Sequence, residues 1–208
     1  MMKLCFIRLC AVIGLFVFGS MTLASTNPAP DVLVKNTTEE VLAIVRRDKG
    51  IQADNTKRIY ELVDTKVLPH FDFERMTQLA VGKYWNKATP AQKQHLVRDF
   101  RTLLVRTYAS SLRDFGESHV KIKPLNLQPG DNEVTVRTEV QQPGAQPVSI
   151  DYRMERTAGG WKAYDITVDG VSLVTNYRSS FANQIRAKGI DGLIEALVAK
   201  NTSAAGNP

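Results

Sequence analysis

The sequence predicts an α+β domain in which helices come first, a curved antiparallel sheet of four strands follows, and helices close the chain. Two observations carry this. From about residue 31 to 115 apolar residues recur at helical spacing, and after Gly116 the period falls to two. The alternating segments have one apolar and one polar side, so helices must cover the apolar side.

Residues 31–49 read as a helix with Thr37 and Glu40 as a capping box. A second helix near 55–69 places Ile59, Leu62, Val63 and Val67 on one stripe, with Pro69 limiting it. Asp72 caps a short helix bearing Phe73, Met76 and Leu79. "TPAQ" at 89–92 is the clearest start signal: Thr89 as cap, Pro90 in the first turn, Gln92 closing the box. That helix is expected to reach Phe115, with Leu96, Phe100, Leu103, Leu104 and Tyr108 inward and Arg98, Arg106 and Arg113 outward. The arginines read as a solvated face, with docking of an acidic partner as the alternative.

The strands are "HVKIKPL" (119–125), "NEVTVRTEVQ", "VSIDYRMER" and "WKAYDITVD". Val134, Val136 and Val140, then Val148, Ile150, Tyr152 and Met154, then Tyr164, Ile166 and Val168, form the apolar side. "LQPGDN", "QPGAQP" and "RTAGG" supply the turns. Gly170 turns the chain and Ser172 caps a helix whose stripe is Leu173, Val174, Tyr177, Phe181 and Ile185. A short closing helix carries Leu193, Ile194 and Leu197.

Residues 1–24 read as a signal peptide: Lys3 and Arg8, an apolar run from Leu9 to Gly19, then Thr22-Leu23-Ala24. The run is too short to span a bilayer. Both cysteines, Cys5 and Cys10, lie within this leader, so the remaining chain has no disulfide or thiolate chemistry. Export without cysteines points to a bacterial periplasm. Residues 25–30 read as a linker, 31–200 as one domain and 201–208 as a tail. The formal charge is +6, or +4 once Lys3 and Arg8 are set aside. An exported, mildly basic chain suits acidic membrane or protein surfaces better than nucleic acid.

Chemistry is hard to find. His70, His95 and His119 are scattered, without metal-binding spacing, and His95 with Asp99 reads as a surface pair. No GxSxG, GxxxxGK[ST] or GxGxxG motif occurs. Arg178 reads as a partner for Asp165 or Asp169. A cavity enzyme needs a carboxylate pointing into apolar surroundings. Glu133, Glu139, Asp151, Glu155 and Asp165 all fall on the polar parity of their strands, which argues against catalysis. Periodicity alone fits a filled core and an apolar cavity equally well.

"DGVSLVTNYRSSF" followed by "KGIDGLIEAL" resembles the periplasmic phospholipid-binding component of the Mla lipid-transport system, the toluene-tolerance family. The resemblance extends through "FDFERMTQLAVGKYW", "ATPAQKQHLVRDFRTLLVRTY" and "WKAYDITVDG", from about 31 to 199. It implies an NTF2-like curved sheet wrapped by helices, with acyl tails between them and the headgroup exposed. It also implies a carrier without cofactor. Implied partners are an inner-membrane ABC lipid transporter with a ring-shaped lipid-binding subunit and an outer-membrane lipoprotein–porin complex. On that basis Val174, Tyr177 and Phe181 line the tail cavity opposite Val136, Ile150, Tyr152, Met154, Tyr164, Ile166 and Val168. Ile59, Val63, Val67, Phe71, Met76, Leu104 and Tyr108 form its helical side. The alternatives are an isomerase or hydrolase on the same fold, using Asp165 or Asp151, and a structural adaptor with a filled interior.

Overall fold

The computed structural model describes residues 27–53 and 55–203, so the expected leader and most of the tail lie outside the described residues. Helix α1 (Pro30–Arg47) starts on a proline, which has no N–H to leave orphaned, and ends on Arg46 and Arg47, matching the helix dipole. Thr37 is therefore mid-helix and the Thr37–Glu40 box is unused. Asp48 caps α2 (Lys49–Gln52), accepting from the Gly50 and Ile51 amides. Asn55 caps α3 (Thr56–Leu62).

The expected helix to residue 69 does not hold its form. After Leu62 the chain widens into a π turn, Val63–Val67, then tightens into a 3-10 turn, Leu68–His70. Pro69 lacks a donor and its ring crowds the carbonyl four residues back, so regular α geometry cannot pass through it. Asp72 caps α4 (Phe73–Val81) as expected, accepting from the Arg75 amide at 2.8 Å. Both bonds of the Thr89–Gln92 box open α5. That helix, Pro90–Tyr108, gives way to a 3-10 turn over Ser110–Phe115 instead of continuing as α.

The sheet is an antiparallel meander of β1 (His119–Ile122), β2 (Glu133–Gln141), β3 (Val148–Thr157), β4 (Gly160–Val168) and a two-residue β5 (Val171–Ser172) in that spatial order. The four expected strands are present, and β5 adds a short edge. Asp169 and Gly170, both at positive φ, make the two-residue hairpin between β4 and β5. Beyond β5, Phe71 bridges to Ala163 and the Asp72 amide bonds the Ala163 carbonyl, which covers that edge at Ala163.

One irregularity decides where side chains go. Arg153 pairs with Asp165 but Met154 pairs with Ala163, so β4 carries an extra residue, Tyr164. Before this bulge Trp161 and Ala163 share the apolar face with Met154; after it Ile166 and Val168 share that face with Tyr152 and Ile150. Tyr164 is displaced to the opposite face, beside Glu133 and Arg153. It does not line up with Ile166 and Val168 as unbroken alternation required.

On that second face Tyr164 becomes the attachment point for helices. The Arg75 guanidinium of α4 lies 3.9 Å from its ring centre and pairs with Glu133 and Glu155, while the Tyr164 hydroxyl donates to Glu133 at 3.0 Å. These contacts hold Glu133 below the usual carboxylate range, chiefly through the Arg75 hydrogen bond. Tyr164 joins a large core with Met76, Leu96, Phe100, Leu104, Val174 and Phe181. A second core joins α1 to α3 around Val45, Ile51 and Ile59, and a third lies under α1 on the apolar face around Val136, Met154 and Trp161. Helix α6 (Leu173–Ser203) bends at Gly189 (φ 73°), separating the segment with Leu193 and Leu197 that was expected as a closing helix. It runs on to Ser203, where Asn201 bonds the Asp99 carbonyl. Among the described residues no helix is long and apolar enough to cross a membrane.

The bulge makes a stability contrast. Tyr164→Ala should cost about 3–5 kcal/mol, because it empties a filled core. Ile166→Ala should cost less than about 2 kcal/mol, since its side chain is only half-buried. Urea unfolding of both variants measures the difference, and equal losses would contradict this placement.

Candidate functional site

The apolar face is filled along β2, where Val136, Thr138 and Val140 are all buried, and at the turn between β3 and β4, but is only partly covered where β3 and β4 run away from that turn. Val136 is 0 % exposed and Met154 1 %, and both pack beneath α1 with Val34 and Trp161. Further along, Ile150 sits opposite Val168 and Tyr152 opposite Ile166, on the same face. Yet Ile150, Tyr152, Ile166 and Val168 are all only half-buried, and Ile150, Ile166 and Val168 belong to none of the three cores. Four large apolar side chains thus form a trough with open surface on a helix-covered sheet.

Tyr152 marks the depth of this trough. Burial pushes its phenol up to about 12, a hydrogen bond with the Thr38 hydroxyl acting in the opposite sense. Its ring packs against the core beneath α1, and Thr38 ties it to that helix.

The other expected lining residues are not gathered in one cavity. Ile59 and Val63 are buried in the core between α1 and α3, with Val67 packed against it. Met76, Leu104, Val174, Phe181 and Tyr164 belong to the large core. Tyr177 packs edge-on against Phe100 at 5.1 Å, and Tyr108 is 39 % exposed. Phe71 touches both the large core and the core beneath α1, at the junction of the layers. Among the described residues a single interior is therefore replaced by three packed cores, with Ile150, Ile166 and Val168 of the trough outside them. The physical reason is that the α3–π–3-10 segment and α4–α6 each bury most of their own apolar stripe.

Sequence parity missed Trp161, Ala163 and the buried Thr138, whose hydroxyl donates to the Ile150 carbonyl. The first two lie before the bulge and so have the opposite parity from Ile166. Thr138 did have an available signal, since it shares the parity of Val136 and Val140.

The polar candidates have structural duties. Asp165 is 1 % exposed, not solvated as its parity suggested, because the bulge tucks it behind the sheet. It accepts from the Ser172 hydroxyl at 2.7 Å and the Val174 amide at 3.2 Å, with Arg153 at 3.7 Å. Ser172 caps α6 as expected, accepting from the Thr175 amide. Both groups fix the start of α6 and lie on the face away from the trough. Arg178 pairs with neither expected aspartate: it lies over Gly82, where a Cβ would meet its Nε at 3.2 Å, and Asp169 instead receives the Ser149 amide. Asp151 sits beside Arg137 at 3.9 Å.

The expected His95–Asp99 pair is mediated by Arg98, which contacts both, and Asp99 is buried. Arg106 donates to the Asn201 carbonyl, so the arginines of α5 do not form a free ridge. No group of three potential metal ligands is gathered among the described residues. Two pockets of about 210 Å³ flank α1, one against β1 and one against α3.

The MlaC protein family matches residues 35–199. This chain belongs to the MlaC family. A solved structure of a phospholipid-binding protein from Ralstonia solanacearum, in complex with a phospholipid, superposes with a TM-score of 0.80 at 37 % identity, covering 86 % of this chain and 99 % of the other. The toluene tolerance protein ttg2D of Pseudomonas putida is 24 % identical over 175 residues, 84 % of this chain and 80 % of that one. The intermembrane phospholipid transport system binding protein MlaC of Haemophilus influenzae is 21 % identical over 196 residues, 93 % and 91 % of the two chains. The expected α+β class stands: this chain is an antiparallel sheet with helices packed on it.

Between about pH 10 and 12 folded Tyr152 keeps a proton that an unfolded tyrosine loses. The folded state then binds more protons, so its contribution is intact below pH 10 and is lost as pH rises towards 12. Burial also raises Tyr164 and Tyr177. Tyr152→Phe should therefore weaken, without abolishing, the loss of stability measured by denaturant titrations across that window.

Proposed function

We propose that this chain is a soluble periplasmic carrier of glycerophospholipids, exported with a cleaved leader, and not an enzyme. The observation that carries the reading is the half-open trough of Ile150, Tyr152, Ile166 and Val168 on an otherwise covered apolar face. Family membership and the phospholipid held by the Ralstonia relative support it.

The physical chemistry suits such a role. A two-chain lipid has about 30 methylenes, each costing about 0.8 kcal/mol to expose, so crossing water unaided costs on the order of 20 kcal/mol. Transfer between bilayer and an apolar protein interior is close to neutral, because both hosts are hydrocarbon-like. Loading needs no bond made or broken. Neither 210 Å³ pocket accommodates two tails, so on this reading the tails part the helical layer from the sheet along the trough. Direction comes from the membrane partners, for which an inner-membrane ABC transporter and an outer-membrane lipoprotein–porin complex are proposed. The buried carboxylate that an enzyme on this fold would use, Asp165, is committed to Ser172 and Val174 and points away from the trough.

Protein recovered from the periplasmic fraction should yield phospholipid on organic extraction and mass spectrometry. Failure of delipidated protein to take up phospholipid would sink the proposal. Val168→Asp places a charge in the trough and should lower lipid uptake at least about tenfold, as a carboxylate beside hydrocarbon costs several kcal/mol. Asp151→Asn, on the polar face, should leave uptake unchanged.

A further inference from the structure

The pocket between α1 and β1 has features the tail trough does not use. Leu42, Val120 and Ile122 line it together with Lys35, Arg46, His119 and Glu39. Three potential cations thus face one carboxylate, and Lys35 holds that carboxylate only loosely, at 4.0 Å. Arg46 is fixed in place, donating from Nε to the Gly116 carbonyl and from Nη2 to the Ser118 carbonyl. In the wall, Ser118 is 1 % exposed and its hydroxyl has no hydrogen-bond partner among the described residues. A buried hydroxyl without a partner is costly unless a ligand or water completes it. Thr38 lines the same pocket and bonds Tyr152, so the polar recess and the apolar trough meet at one side-chain contact. At about 210 Å³ the recess is smaller than a whole-ligand site and fits a headgroup-sized fragment.

We propose that this recess takes a phosphate group, that of a lipid whose tails lie along Tyr152 and Ile166. Lys35, Arg46 and the Ser118 hydroxyl would donate to its oxygens, a pairing in which charge-assisted hydrogen bonds are short and strong. The lipid source rests on the carrier reading above. Free inorganic phosphate is the other source of the same chemistry.

The test compares uptake of dioleoyl phosphatidylglycerol with that of dioleoylglycerol, which has the same tails and no phosphate, by delipidated protein. Lys35 is largely exposed, so Lys35→Glu leaves the fold intact, as circular dichroism would verify. It should lower phosphatidylglycerol uptake about tenfold, the loss of one charge-assisted bond, while dioleoylglycerol uptake stays unchanged and Lys35→Arg restores the difference. An equal fall for both lipids, or no change in either, overturns a lipid-phosphate site here. Wild-type protein that takes up neither lipid defeats the carrier reading instead. Inorganic phosphate followed by phosphorus NMR then decides the recess alone: binding abolished by Lys35→Glu supports it, and no binding overturns it.

Discussion

The extra residue in β4 is the constraint on which the rest of this structure depends. By placing Tyr164 and Asp165 together on the polar side of the sheet, it gives the helices something to hold there. Tyr164 receives α4 through the Arg75 guanidinium, and Asp165 receives α6 through Ser172 and the Val174 amide. Helices α4 and α6 are thereby attached away from the apolar face, and Ile150, Ile166 and Val168 stay partly open. A regular strand would have kept Tyr164 in line with Ile166 and left α4 without its aromatic anchor.

Much of the fold was legible because its signals are local. A cap needs one side-chain oxygen at a fixed distance in sequence from the amides it satisfies, and Asp72, Thr89 and Ser172 all act where spacing placed them. The same logic misled at Thr37, because Pro30 had already started the helix. The bulge was not legible: nothing in "WKAYDITVD" marks which residue is supernumerary, and a phase slip appears only when the partner strand is known. Every site assignment in β4 inherited that uncertainty. Ile166 and Val168 kept their side and Tyr164 did not.

The helical side of the site shows a different limit. Ile59, Met76, Leu104 and Phe181 have the apolar spacing of lining residues, but spacing does not distinguish a side chain facing space from one facing a neighbouring helix. Three-dimensional packing divides them among separate cores. Family resemblance supplied what periodicity could not, the expectation of hydrocarbon as a guest. The polar recess beside β1 was missed because Lys35, Arg46 and Ser118 are distant in the chain and carry no motif.

The two borders of the sheet are managed differently. At one, β5 pairs with Thr167 and Val168 of β4 and the Phe71 crossing occupies its backbone at Ala163. At the other, β1 pairs only with β2 among the described strands, and His119 and Lys121, followed just beyond its end by Lys123, place a basic side chain at every second position. Two copies meeting margin to margin would bring like charge against like charge. A molecule that must keep greasy surface available is thereby discouraged from polymerising through its own exposed backbone.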